Sequence, residues 1–413
     1  MSSRVEVGRS KAELKFGPTA AGSESGPEFG PAAPCAESEL ELGPATPGRA
    51  KITNLNSVPK PVGPNFSSAA SGVGSAASGF MPIRARVAIV SVGSLVLALL
   101  ACMLAPLAGS TSISLSRALD PSIPWADNVD AQIFFVARLP RVLAAALVGS
   151  ALASAGVVFQ ALLRNPLATP FTLGISAGAA LGAMLVLTFG AVLTTAAWAT
   201  VPLASFLGAI GAVLVVYTLA VARHRGFSTD VLLLAGVTLN SLLSALILLV
   251  QYFADVTQAL QTVRWLLGDL DVASYAPLMA AAPMLAVAFL IFAGMPRALN
   301  LLALGTDHAA ARGIDPLRLQ RLAFFSASLA TGAAVSVGGP IGFVGIVVPH
   351  LVRLVVGADH RLVVPASLGF GAAFLVGCDL VSRTILAPVE LPVGIVTALI
   401  GGPFFLWLLI RRA

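Results

Sequence analysis

Charge is scarce in this chain. Only 11% of the 413 residues are charged, where a soluble globular domain carries roughly 25%. So few charges cannot cover a water-exposed surface of this size. With 57% hydrophobic residues and a mean hydropathy of +0.90, lipid is the solvent for most of the chain. Lysine is missing after residue 60, since all four lysines (Lys11, Lys15, Lys51 and Lys60) lie near the N-terminus. The three cysteines, Cys35, Cys102 and Cys378, are too scattered for a disulfide framework or a metal site. The four histidines, His224, His308, His350 and His360, fall at the ends of apolar windows without metal-ligand spacing. His350, in "VVPHLVR", reads as a helix-end hydrogen bonder. No GxxxxGK[ST] loop is present, so the chain cannot cradle ATP phosphates in the usual way. There is no Ser-His-Asp constellation and no pair of carboxylates in an apolar window. An enzyme reading is therefore set aside, and no bound cofactor or metal is expected.

What is present divides in two. Residues 1–80 are rich in Gly, Pro, Ser, Ala and Glu and show no helical or strand period, which predicts a disordered tail. Residues 81–413 form the predicted membrane domain. Its start, with Arg84, Arg86 and "LLAC" ending at Cys102, imitates a lipoprotein signal. The chain then continues into further apolar segments rather than a soluble domain, so Cys102 is read as a small buried residue. Counted against the ~20 residues a bilayer requires, the expected spans are 87–108, 142–163, 172–194, 199–221 and 231–253. A second set is expected at 275–295, 322–337, 341–356, 363–381 and 393–410. The seventh and eighth leave little room for two full helices and a turn, so one should be short or broken at Gly338, Gly339 and Pro340. The fold class is an all-α polytopic membrane protein of about ten transmembrane helices.

Arginine placement orients the spans. One set of loops carries Arg164, Arg223, Arg225, Arg297, Arg312, Arg318, Arg321, Arg353 and Arg361, and the chain ends on Arg411 and Arg412. The alternate loops are poorer in arginine: Arg138 and Arg141, Arg264 with Asp255, Asp269 and Asp271, and Arg383 with Glu390. Both termini are therefore expected in the cytoplasm. The stretch "RNPLATPFTLGISAGAALGA" becomes a cytoplasmic turn, with Asn165-Pro166 ending one helix and Pro170 helping to start the next. Gly174, Gly178 and Gly182 follow at a spacing of four and are expected on one helical face. That face serves either close helix packing or the border of a pathway. Asp379 is the one acidic residue within a span. Arg383, four residues later, is placed to pair with it.

The stretch "RLPRVLAAALVGSALASAGVVFQALLRNPLATPFTLGISAGAALGA" resembles the FecCD-type permease subunits of ABC importers for iron–siderophore, haem and cobalamin. "RWLLGDL", "LALGTDHAAARGI" and "GGPIGFVGIVVPHLVRLVVGADHRLVVPAS" agree in order and spacing, and the likeness runs from about Met81 to the C-terminus. It implies a type II ABC importer permease fold in the bacterial cytoplasmic membrane. It also implies a second permease subunit (a homodimer copy or a close paralogue), two cytoplasmic ATPases and an extracytoplasmic binding protein. No nucleic-acid partner is expected. Within the loop 296–321, Leu304, Gly305, Ala309, Arg312 and Gly313 would belong to a short coupling helix that docks into an ATPase. An inner gate would lie at Asn165 with Leu167 and at Ser228 with Thr229, although Ser228 or Thr229 also suits a helix cap before Asp230. Arg138, Arg141 and Arg383 would receive acidic residues of the binding protein. The cargo expected from the resemblance is a ferric siderophore first, with haem and cobalamin next. The alternative is an ion-coupled secondary carrier, which usually needs ionisable groups near mid-membrane. Asp379 is the sole candidate, and its pairing with Arg383 speaks against it.

Overall fold

The computed structural model describes residues 82–109, 111–190, 197–222, 229–272 and 274–412. The segment expected to be a tail, and Ser228 of the expected gate, lie outside the described residues.

Among the described residues the chain forms α1 (Ile83–Leu104), α2 (Leu115–Ala118), α3 (Val129–Gln132), α4 (Leu139–Leu162) and α5 (Ile175–Phe189). Next come α6 (Ala197–Ala222), α7 (Thr229–Tyr252), α8 (Val256–Leu266), α9 (Ala276–Gly294) and α10 (Pro296–Leu304). The chain continues with α11 (Thr306–Ala311), α12 (Pro316–Gly338), α13 (Val344–Val356), α14 (His360–Thr384) and α15 (Val393–Arg412). Seven segments among the described residues are long and apolar enough to cross a membrane, and three shorter apolar helices accompany them. Together they fall in the ten expected windows, and the chain is a multi-pass membrane protein.

Position in the bundle follows side-chain size. In α4, "LPRVLAAALVGSALASAGVVFQAL", small residues let neighbouring backbones come close, and 78% of its apolar window is buried. A Cβ on Gly156 would lie 2.1 Å from the Gly345 carbonyl oxygen of α13. Helices α12, α13 and α14 pack around this centre. By contrast α1, with Leu and Val on every side, has none of its window buried. It lies along α14 in the same direction, since Ser94 meets Pro365 near one end and Ala105 meets Arg383 near the other. Cys102 is half-buried in its last turn.

Three details depart from or refine the expected layout. The break after the seventh span is at Gly339, which has a φ of 67°, and α13 is the short partner at 13 residues. An unanticipated amphipathic helix, α8, follows α7. It opens on a capping box in which Asp255 accepts from the Gln258 amide at 2.8 Å and Gln258 accepts from the Asp255 amide at 3.1 Å. The loop expected at 296–321 is two helices, α10 and α11, and its last residues already belong to α12.

Candidate functional site

Polar side chains gather at the two ends of the bundle. At one end, Asp379 is fully buried near the C-terminus of α14. Arg141, in the first turn of α4, donates from Nε to Asp379 Oδ1 at 2.8 Å and from Nη1 to Glu390 Oε2. Arg383 Nε lies 3.2 Å from Asp379 Oδ2, an ion pair without hydrogen-bond alignment. Arg383 Nη2 donates to the Ala105 carbonyl at 3.1 Å, and Arg138 Nη1 to that of Pro106 at 3.0 Å. Arg138 also donates to the Thr111 carbonyl. Three guanidiniums meet two carboxylates here, which leaves one formal positive charge.

The arrangement refines the expected picture of the three arginines. Arg138, Arg141 and Arg383 are 5%, 7% and 3% exposed, so little of each side chain is open at the surface. The carbonyls of Ala105, Pro106 and Thr111 and the two carboxylates take part of their donor capacity. The Asp379–Arg383 pairing expected from the sequence is present, but the better-aligned partner of Asp379 is Arg141, 238 positions away. The open polar surface at this end is a cleft of about 400 Å³ lined by Arg141, Arg264, Asp269, Asp271 and Glu390. The Glu390 side chain is 44% exposed.

At the other end, α10 packs on α4 and α14 and buries Leu299 and Leu302. Gly305, with a φ of 132°, turns the chain into α11. Gly313, with a φ of 79°, closes it, and the Ile314 amide reaches back to the Ala309 carbonyl at 3.1 Å. Glycine suits this left-handed position because it has no Cβ. Leu304 is 69% exposed, and Asp307, His308, Ala310, Ala311 and Arg312 are exposed beside it. Ala309 is fully buried, which removes it from any docking surface: its methyl group faces the bundle.

The same end carries a polar join that sequence reading missed. Asp359 caps α14 by accepting from the Arg361 amide at 2.9 Å. Asn300 of α10 donates from Nδ2 to Asp359 Oδ1 at 2.7 Å and accepts at Oδ1 from the His360 amide at 2.9 Å. Those two bonds fix the orientation of the amide, so the His360 Nδ1 that lies 2.7 Å from Asn300 Oδ1 must carry the proton. Burial pushes the Asp359 carboxyl up, but the hydrogen bonds from Asn300 Nδ2 and the Arg361 amide, with the nearby charges of Arg361 and His360, hold it below its usual range. The only sequence signal was an isolated Asn in the apolar run "RALNLLALG". His350 sits inside α13, with its ring against Phe404.

Just past the C-terminus of α4, at the end away from Asp379, Arg164 takes a φ of 49°, and the Asn165 side chain accepts from the Leu167 amide at 2.9 Å. Leu167 is 55% exposed. Thr229 is the first residue of α7, and its expected gate partner Ser228 lies outside the described residues. Pro170 opens a short 3-10 turn rather than the next helix. Gly174, with a φ of 75°, is the residue before α5. It therefore does not share a helical face with Gly178 and Gly182, as the spacing of four had implied. Those two are helix-packing residues: a Cβ would lie 2.5 Å from the Gly208 carbonyl oxygen at Gly178, and 2.1 Å from that of Ala204 at Gly182.

Comparison with known proteins agrees with this layout. The profile of the FecCD transport family matches residues 96–411. The chain is 39% identical over 277 residues to the hemin transport system permease protein HmuU of Yersinia pestis, covering 67% of this chain and 82% of that one. It is 43% identical over 278 residues to the cobalamin import system permease protein BtuC of Halobacterium salinarum, covering 67% and 72%. A solved inward-facing conformation of a metal-chelate type ABC transporter matches with a TM-score of 0.67 at 31% identity, over 78% of this chain and 98% of that one. The ion-coupled carrier alternative finds no support among these relatives, and its one candidate carboxylate is held between Arg141 and Arg383. This chain belongs to the FecCD transport family and is a transmembrane permease of the ABC type.

Proposed function

We propose that the chain is the permease subunit of an importer that moves a bulky metal chelate through the bacterial cytoplasmic membrane, with both termini in the cytoplasm. The observation that carries the reading is the projecting pair α10–α11 in a chain of this family that has no phosphate-binding loop of its own. Energy then arrives from partners. One ATPase docks on the exposed edge formed by Leu304, Arg312 and the turn at Gly305 and Gly313, a second docks on the partner permease, and that partner, a second copy or a close paralogue, completes the pathway. Asn165 and Leu167, with Ser228 and Thr229, narrow its cytoplasmic end. A binding protein delivers cargo at the Asp379 end. There an acidic partner residue reaches Arg141 only by displacing the half-exposed Glu390. Ferric siderophore is the proposed cargo, and the named relatives for hemin and cobalamin make those the competing cargoes.

Reconstitution in lipid vesicles with the ATPase and binding protein tests this reading. Uptake of labelled ferric siderophore is expected to require ATP and both partners. Uptake driven by a proton gradient without the ATPase would sink the mechanism. Saturable uptake of haem or cobalamin in place of the siderophore would correct the cargo alone.

A further inference from the structure

A docking segment can transmit force only if it is fixed to something that moves with it. Helix α10 has an apolar seat, Leu299 and Leu302, and one polar fastening, Asn300. Apolar packing is non-directional and tolerates sliding. Hydrogen bonds of defined geometry do not. Asn300 uses both ends of its amide on the first turn of α14: Nδ2 on the capping carboxylate of Asp359, Oδ1 on the His360 amide and ring. Asn300 therefore fastens α10 to the residues that begin α14.

Helix α14 runs 25 residues, about 37 Å at 1.5 Å per residue, which is enough to cross the bundle. Its far end holds Asp379 and Arg383, and these meet Arg141 of α4 and the carbonyl that ends α1. One continuous element thus carries a polar fastening at each end. We infer that Asn300 is a positioning residue that couples the α10–α11 segment to α14, so that a displacement of the segment shifts α14 as a unit. The inference rests on the proposal that α10–α11 receives the ATPase. Asn300 itself touches neither nucleotide nor cargo.

The test uses the complete transporter in vesicles and reads uptake per ATP hydrolysed. Asn300→Asp keeps the acceptor for His360 but sets a second carboxylate against Asp359, and like charges at that distance repel. Its uptake per ATP is expected to fall about tenfold, within the usual range for coupling between sites. Asp359→Asn is then added. With a turn of the new amide at 359, its oxygen still caps Arg361 while its nitrogen meets the carboxylate at 300, and Asn caps as well as Asp. The exchange pair is expected to return to within about threefold of the parent, because residues that share a bond do not act additively. Thermal stability of both variants separates lost coupling from lost folding. In parallel, Leu304→Cys is cross-linked to the ATPase. Failure of that cross-link overturns the docking proposal. A formed cross-link, with parental coupling in Asn300→Asp or no recovery in the exchange pair, overturns the role of Asn300 alone.

Discussion

A carboxylate without exposed surface, such as Asp379, is tolerated in an apolar bundle only when cations meet it. Removing it leaves two buried guanidiniums, Arg141 and Arg383, facing each other with too few acceptors. Asp379→Ala is therefore expected to destabilise the protein by about 3–5 kcal/mol, the usual cost of breaking a buried pair. Glu390 bonds the same arginine, but its side chain is 44% exposed. Water screens that contact, and Glu390→Ala is expected to cost no more than about 1 kcal/mol. Thermal unfolding followed by dye access to the buried Cys378, the neighbour of Asp379, measures both. Equal losses in the two variants would show that Asp379 is not the centre of the cluster.

At the scale of elements, packing decides which glycines matter. Helices α5 and α6 approach through Gly178, Gly182, Ala204 and Gly208. At Gly182 the obstacle to a methyl group is backbone, which cannot rotate away. Gly182→Ala is expected to separate the pair and cost about 1–3 kcal/mol, as overpacking does. Gly211, also in α6, has nothing within 4 Å of its missing Cβ. Gly211→Ala is expected to raise stability by up to about 1 kcal/mol, through helix propensity alone. Melting curves in detergent check the contrast. A harmless Gly182→Ala would mean that α5 and α6 are held by something other than their close approach.

For the whole molecule, the separation of the two polar ends sets the topology. Leu304 and Val389 are 69% and 63% exposed, one beside α11 and the other in the loop after α14. With Cys35 and Cys102 replaced by serine, Leu304→Cys should react with an impermeant thiol reagent only in inverted vesicles. Val389→Cys should react only in intact cells, and Cys378, at 3% exposure, in neither. Reaction of Leu304→Cys and Val389→Cys from the same side would overturn both the proposed orientation and the span count.

What was legible in the chain were the properties that depend on neighbours in sequence. Apolar windows of bilayer length marked where helices run. Gly338, Gly339 and Pro340 marked the broken pair, and "LGTDHAAARG" marked a short helix closed by glycine. The i, i+4 relation of Asp379 and Arg383 also follows from helix geometry alone. Gly174 shows the limit of such reasoning: a spacing of four implies a shared face only if all three glycines lie in one helix, and Pro170 delays the start of α5. The rest depends on which helices become neighbours. Arg141 meets Asp379 across 238 positions, and Asn300 meets Asp359 across 59. Local sequence determined that these groups are polar and lie near helix ends. Only the close approach of α1, α4 and α14 decided that the arginines turn inward, and only that of α10 and α14 joined Asn300 to Asp359, because a polar group at the end of an apolar helix takes whichever partner or water the fold brings within reach.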